Sequence, residues 1–183
     1  MLFNSEAWHG IVRDDVETLS RVDESLLRGL VNAHSKVPRD ALYLETGEIP
    51  LNYIWAARRL MFLQTILKRE RNELTRQVYE AQKADPKQGD FIKLVQEDAM
   101  MINYVIDETK IQNQSKYEHH TEIKHKVRSS AFKHLQSLQL SHSKVKDIKY
   151  HSLKMQHYLC TANMNKDDIA LRFPLRTRTV RGI

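Results

Sequence analysis

The basic residues of this chain are the ones whose types and spacing most suggest a functional role. The role that they suggest is binding to phosphate groups. The net charge is −4 over residues 1–50, +1 over 51–110 and +9 over 111–183. Lys and Arg bind polyanions because each contact releases counterions from phosphates. Nine side chains are candidates for nucleic-acid contact: Arg58, Arg59, Lys124, Lys126, Arg128, Lys133, Arg176, Arg178 and Arg181. A solvated basic face and a solubilising tail are the alternative interpretations.

The adjacent Arg58 and Arg59 allow two readings, because they interrupt the most apolar stretch of the chain. They can contact phosphate, or they can form buried ion pairs with carboxylates such as Glu45 and Glu48. The sequence leaves both open.

Residues suited to catalysis or metal binding do not form a recognisable pattern. There is no P-loop, no glycine-rich dinucleotide motif and no nucleophile elbow. The pairs Asp14-Asp15 and Asp167-Asp168 stand at predicted helix starts, where carboxylates favour capping. The four nearby histidines miss the spacing that places metal ligands on one helical face: His119, His120, His125 and His134. We therefore expect no catalytic residue, no metal and no cofactor.

Helices must position the basic residues, because apolar periodicity and scarce Gly (5) and Pro (4) favour an all-α fold. We predict an irregular array of about 7–9 helices without significant sheet. The predicted helices cover residues 14–33, 38–45, 50–67, 73–84, 91–102, a short piece from 107 or 109, 121–140, 152–159 and 165–173.

Apolar periodicity gives several of these helices an apolar face. The face of the first helix consists of Val16, Leu19, Val22, Leu26, Leu27 and Leu30. The helix at 50–67 is apolar on more than one side, so we expect it to be central, with Trp55 in the core. The stripe of the helix at 121–140 consists of Ile123, Val127, Ala131, Leu135 and Leu138, with cations on both flanks.

Proline, glycine and short polar residues predict where the helices begin and end. Pro38 and Pro50 suit first turns, and Gly47 suits the end of the short helix between them. The predicted N-caps are Asn72, Asp90 and either Asp107 or Thr109. The segment 85–89 is the clearest break in the chain.

Several long strings resemble the region that follows the palm in non-LTR, LINE-like retrotransposon reverse transcriptases. They include LFNSEAWHGI, LRGLVNAHSKVPRDALYLETGEIPLNYI, AARRLMFLQTIL, YEAQKADPKQGDFIKLV, HSKVKDIKY and LRTRTVRGI. The resemblance spans nearly the whole chain. It implies a helical thumb-like segment over residues 1–70 and a helical connector with a basic tail over 71–183.

The resemblance also implies where the chemistry lies. The polymerase carboxylates of this family belong to an upstream motif that is absent here, and a Cys/His cluster usually follows downstream. We therefore expect a non-enzymatic fragment of this transposable-element polyprotein, truncated at both ends. Its implied partners are RNA or an RNA/DNA duplex and the upstream polymerase core. His119 and Glu122 stand where the resemblance implies apolar residues.

The remaining expectations concern location and an alternative role. No secretory signal and no apolar run of about 20 residues is present, so we expect an intracellular chain, nuclear or cytoplasmic, without a membrane partner. The alternative is a domesticated or decayed fragment that acts as a helical protein-interaction module.

Overall fold

A computed structural model describes residues 13–142, 148–156 and 159. These residues contain seven helices and no β-strand, which confirms the predicted all-α class. The helices are α1 (Arg13–Leu30), α2 (Arg39–Thr46), α3 (Leu51–Leu67), α4 (Leu74–Ala84), α5 (Phe91–Met101), α6 (Glu108–Asn113) and α7 (Lys116–Gln139). The predicted helix at 165–173 lies outside the described residues. The predicted helix at 152–159 is not formed over 152–156, which runs in bends and irregular backbone.

Helix α1 is amphipathic as predicted, but most of its apolar face is open to solvent. Leu27 is buried, whereas Leu19, Val22, Leu26 and Leu30 are 37%, 54%, 69% and 62% exposed. The sequence predicts the apolar face itself, and the structure leaves most of that face exposed. Periodicity shows that a helix has an apolar face, but only the folded chain shows whether another element covers it.

Helix α2 has the boundaries that proline and glycine predict. Pro38 precedes its first residue, and Gly47 ends it with φ +72°, where its N–H donates to the Tyr43 carbonyl at 2.9 Å. The helix is deeply buried, since every residue from 40 to 47 is buried and only its first residue, Arg39, is exposed. Glu45 is fully buried, and its carboxylate accepts a hydrogen bond from the Tyr150 hydroxyl at 2.5 Å.

Helix α3 is central within its part of the chain, as its two-sided apolar pattern predicts. Trp55, Leu60 and Leu63 are 2% exposed or less, so Trp55 is a core residue. Phe62 and Arg59 of this helix contact α5 by a ring contact and an ion pair. Gln64 donates a hydrogen bond to α6, and the Leu60 carbonyl accepts one from α7. A helix with neighbours on several sides needs apolar residues around most of its circumference.

The caps of α4 to α6 follow the prediction in part. Asp107 caps α6, because its carboxylate accepts from the Lys110 N–H at 2.9 Å. Asp90 occupies the N-cap position of α5, but its carboxylate accepts from the Lys87 N–H in the preceding turn. Glu73, rather than the predicted Asn72, precedes α4.

Helix α7 begins five residues earlier than predicted. Ser115 and Glu118 form a capping box: the Glu118 N–H donates to the Ser115 hydroxyl at 3.2 Å, and the Glu118 carboxylate accepts from the Ser115 N–H at 2.9 Å. The predicted stripe is buried from Ile123 to Leu135, but Leu138 is 41% exposed. The earlier start places His119 on this stripe, with its side chain fully buried.

The described residues belong to two compact units. One contains residues 13–15 and 52–130, and the other contains 16–51, 131–142, 148–156 and 159. The expected division into a thumb-like segment over 1–70 and a connector over 71–183 stays a prediction. Among the helices of the described residues, none is both long and apolar enough to cross a membrane.

Candidate nucleic-acid interface

Helices α3 and α7 line a cavity of about 280 Å³ with basic side chains at both walls. Arg58, Met61, Phe62 and Thr65 line it from α3, and Lys116 and His120 line it from α7. On α3 these positions are 58, 61, 62 and 65, and on α7 they are 116 and 120, so each set lies on one broad helical face. We call this cavity the basic groove. None of its six lining residues is acidic.

A second cavity, of about 480 Å³, adjoins the basic groove and shares Thr65 and Lys116 with it. Lys68 and Arg69 add two cations to its lining, and Glu70 and Glu73 add two carboxylates. Arg69 is paired with Glu73 at 3.0 Å, which reduces its positive field. The positive charge is therefore concentrated where the two cavities meet, beside Lys116.

Helix α7 extends the positive surface beyond the groove. Lys116, His120, Lys124 and Arg128 follow each other at intervals of four residues and form one ridge, which we call the basic ridge. Lys116, Lys124 and Arg128 are exposed, and His120 is half-buried. Two of the predicted candidates, Lys124 and Arg128, thus continue a line of residues that begins in the groove.

The environment of His120 in the basic ridge affects its pKa. Burial lowers the pKa of His120 from its ordinary value of 6.5, and the positive charges of Lys116 and Lys124 lower it further. A neutral imidazole at neutral pH avoids adding to the repulsion within the ridge. A phosphate in the groove would have the opposite effect and favour the imidazolium.

Arg59 does not reach the groove, although it is adjacent to Arg58 in sequence. Its guanidinium binds Asp98 of α5 in a bidentate pair, with Nε–Oδ2 at 2.5 Å and NH2–Oδ1 at 2.7 Å. The expected ion pairing is therefore correct for Arg59, but the partner is Asp98 instead of Glu45 or Glu48. One residue rotates the side chain by about 100° around a helix, so neighbours face different surroundings.

Lys126 and Lys133 of α7 do not line the groove. Lys126 lies on the opposite flank of the α7 stripe from Lys124, and its ammonium donates to the Asn103 carbonyl at 3.3 Å. Lys133 is exposed and shares the flank of Lys126. Arg176, Arg178 and Arg181 lie outside the described residues.

Four basic residues of the two cavities were missed by sequence reasoning: Lys68, Arg69, Lys116 and His120. A usable signal was present for two of them, since Ser115 and Glu118 match a capping box that starts the helix at residue 116. That start extends the basic series from Lys124 back to Lys116. No comparable sequence pattern identifies Lys68 and Arg69, because only the packing of α3 against α7 brings them to the second cavity.

His119 points away from the ridge into the core. Its Nε2–H donates to the Leu60 carbonyl at 3.1 Å, whereas its buried Nδ1 has no partner. The edge of Tyr104 lies against its ring, with centroids 6.3 Å apart. Burial lowers the pKa of His119, so the buried ring is neutral at pH 7.

No cluster of three or more metal-ligating side chains occurs in the part of the chain that the structure describes. Comparison of the chain with protein-family models, with curated proteins and with solved structures found no match.

Proposed function

We propose that this chain is a non-catalytic part of a non-LTR retrotransposon reverse transcriptase polyprotein and that it positions template–primer or element RNA by its phosphate backbone. The observation that carries the proposal is the basic groove with its continuation along the basic ridge. Arg58 and Lys116 face one cavity from two helices, and Lys124 and Arg128 extend the same line. The resemblance of the sequence to the region after the palm supports the identity of the parent polyprotein.

The basic groove and the basic ridge are better suited to contact with the phosphate backbone of a nucleic acid than to recognition of its bases. Successive residues of the basic ridge lie about 6 Å apart along the axis of α7, so several phosphates of one strand can be neutralised together. Lys and Arg contacts to phosphate fix orientation and carry little sequence information. Such a surface holds a duplex in place while chemistry occurs elsewhere in the polyprotein.

The test measures binding of the chain to an RNA hairpin, an RNA/DNA duplex and a DNA duplex of equal length. Phosphate contacts predict that affinity falls at least about tenfold between 50 and 200 mM salt. Arg58→Ala combined with Lys116→Ala should weaken binding about tenfold and make the salt dependence shallower. Lys87→Ala combined with Lys93→Ala is the charge-matched control, because both side chains are exposed on another part of the same unit.

Two results would contradict the proposal. The first is an affinity that does not change with salt. The second is an equal loss of affinity in the groove variant and in the charge-matched control, since that would indicate attraction by net charge alone.

A protein-interaction module is the second candidate, and the exposed face of α1 favours it. Leu19, Val22, Leu26 and Leu30 lie on one side of this helix and are 37–69% exposed. Contiguous exposed apolar surface of this kind commonly binds another protein. Val22→Glu combined with Leu26→Glu should then remove binding of an apolar dye or self-association without changing nucleic-acid affinity. A monodisperse wild-type monomer that binds no dye would exclude this candidate.

A further inference from the structure

An apolar cavity of about 280 Å³ lies between α3, α4 and α5 in the same compact unit as the basic groove. Phe62 and Ile66 line it from α3, Val78 and Tyr79 line it from α4, and Phe91 lines it from α5. Three of these five side chains are aromatic. The cavity therefore offers stacking surface as well as space.

The aromatic walls are held in place by their neighbours. The rings of Phe62 and Phe91 meet edge to face, with centroids 5.8 Å apart and an interplanar angle of 90°. The Tyr79 hydroxyl donates to the Glu108 carboxylate at 2.8 Å, and Lys83 binds the same oxygen at 2.7 Å. A preorganised wall loses little conformational entropy when a ligand stacks on it.

Phe62 belongs to both cavities, since it lines the basic groove on one side and the apolar cavity on the other. A ligand that crosses Phe62 can therefore place anionic groups beside Arg58 and Lys116 and an aromatic group against Phe62, which is partly exposed, whereas Tyr79 and Phe91 are buried. Nucleotides combine these two chemistries, because each carries a phosphate and a flat aromatic base. A purely apolar peptide would leave the basic groove unused.

We propose that the apolar cavity holds one unpaired nucleobase of a nucleic acid whose phosphates lie in the basic groove. This inference rests on the proposed function and narrows the nucleic acid to one with a bulged or single-stranded nucleotide. A base inside a duplex is stacked and paired, whereas an unpaired base can turn out and stack on aromatic side chains. Thr75 and Gln82, which also line the cavity, present a hydroxyl and a carboxamide to the polar edge of the base.

The test compares two RNA hairpins that differ only in one bulged uridine. Stacking of a single base on aromatic side chains predicts that the bulged hairpin binds about tenfold more tightly. Equal affinity of the two hairpins, with a normal salt dependence, would overturn this inference and leave the proposed function standing. No salt-dependent binding of either hairpin would overturn both.

Two substitutions on α4 separate the cavity from the rest of the surface. Val78 is 46% exposed, so Val78→Trp can fill the cavity mouth without disturbing the core, and it should abolish the tenfold preference. Ala84→Trp places the same side chain at the exposed end of α4 and should retain the preference. A preference that survives Val78→Trp would overturn the inference.

Photocrosslinking gives a readout that does not depend on a substitution. A hairpin with 4-thiouridine at the bulge should crosslink within residues 62–91, at positions that line the cavity. Crosslinks confined to α7 would overturn the inference, because the bulged base would then lie along the ridge. Gln82→Ala, which removes only the carboxamide, should lower the preference severalfold while the crosslink remains.

Discussion

Arg59 and Asp98 join α3 to α5 through two parallel hydrogen bonds of 2.5 and 2.7 Å, with side chains only 15% and 7% exposed. Burial raises the pKa of Asp98, and the hydrogen bonds from Arg59 oppose this change. The neighbouring Arg58 lines the basic groove instead. The two adjacent arginines therefore have different surroundings, an ion pair for Arg59 and the basic groove for Arg58.

Substitution of these two arginines should separate stability from binding. Arg59→Ala leaves Asp98 buried without its partner, so the free energy of unfolding should fall by about 3 kcal/mol. Arg58→Ala leaves the ion pair between Arg59 and Asp98 intact, so it should lower the free energy of unfolding by less than Arg59→Ala, and it should weaken binding to RNA. Urea denaturation and a binding titration on both variants check the pair. Equal destabilisation by the two substitutions would contradict these roles.

His119 should make the stability of the chain depend on pH. Because its pKa is lowered in the folded chain, the unfolded chain takes up this proton at higher pH. The contribution is fully present above the ordinary pKa of 6.5 and is lost as pH falls below it. Glu122 opposes the effect, and Lys110 and Lys68 reinforce it.

His119→Leu tests this assignment. Leucine removes a buried nitrogen without a partner, so the free energy of unfolding should rise by about 1 kcal/mol at neutral pH and lose part of its dependence on pH. His125→Gln changes an exposed residue of the same helix and should retain the dependence. Denaturant titrations at about pH 7.5 and 5.5 measure both variants. A pH dependence unchanged in His119→Leu would assign it to other groups.

The two glycines Gly47 and Gly29 should respond to alanine in opposite directions. A Cβ at Gly47 would lie 2.1 Å from the Met155 backbone nitrogen, and φ there is +72°. Gly47→Ala should therefore lower the free energy of unfolding by at least about 2 kcal/mol. Gly29 lies in α1 with nothing within 4 Å of an added Cβ, so Gly29→Ala should raise it by up to about 1 kcal/mol. Thermal or urea unfolding measures both changes.

Lys124 and Lys133 of α7 should differ in their effect on binding. Lys124 belongs to the basic ridge, so Lys124→Ala should reduce the slope of log affinity against log salt by about 1. Lys133 lies on the other flank of the helix, so Lys133→Ala should leave the slope nearly unchanged. Titrations at four salt concentrations are sufficient to compare them. Equal slopes for both variants would show that position on α7 does not matter.

Patterns local to the sequence determined the helical class and many boundaries. Apolar periodicity and turn-forming residues predicted α2, α3, α5 and the buried stripe of α7. These patterns are informative because helical hydrogen bonds and the backbone preferences of proline and glycine depend on residues close in sequence. The same reasoning predicted that Gly47 ends α2 and that Asp107 caps α6. Even the missed start of α7 was readable from Ser115 and Glu118.

The tertiary structure alone decided which faces are covered and which charges meet. The apolar pattern of α1 could not reveal that Leu26 is exposed, and Arg58 and Arg59 are equivalent in sequence. Long-range packing separated them, since Asp98 lies 39 residues from Arg59 and Lys116 lies 58 residues from Arg58. The sequence thus determined a helical chain with a basic C-terminal part. Contacts between α3 and its neighbours brought Lys116 of that part beside Arg58 in the basic groove. Only the tertiary structure could decide this, because ion pairing and burial depend on distance in space.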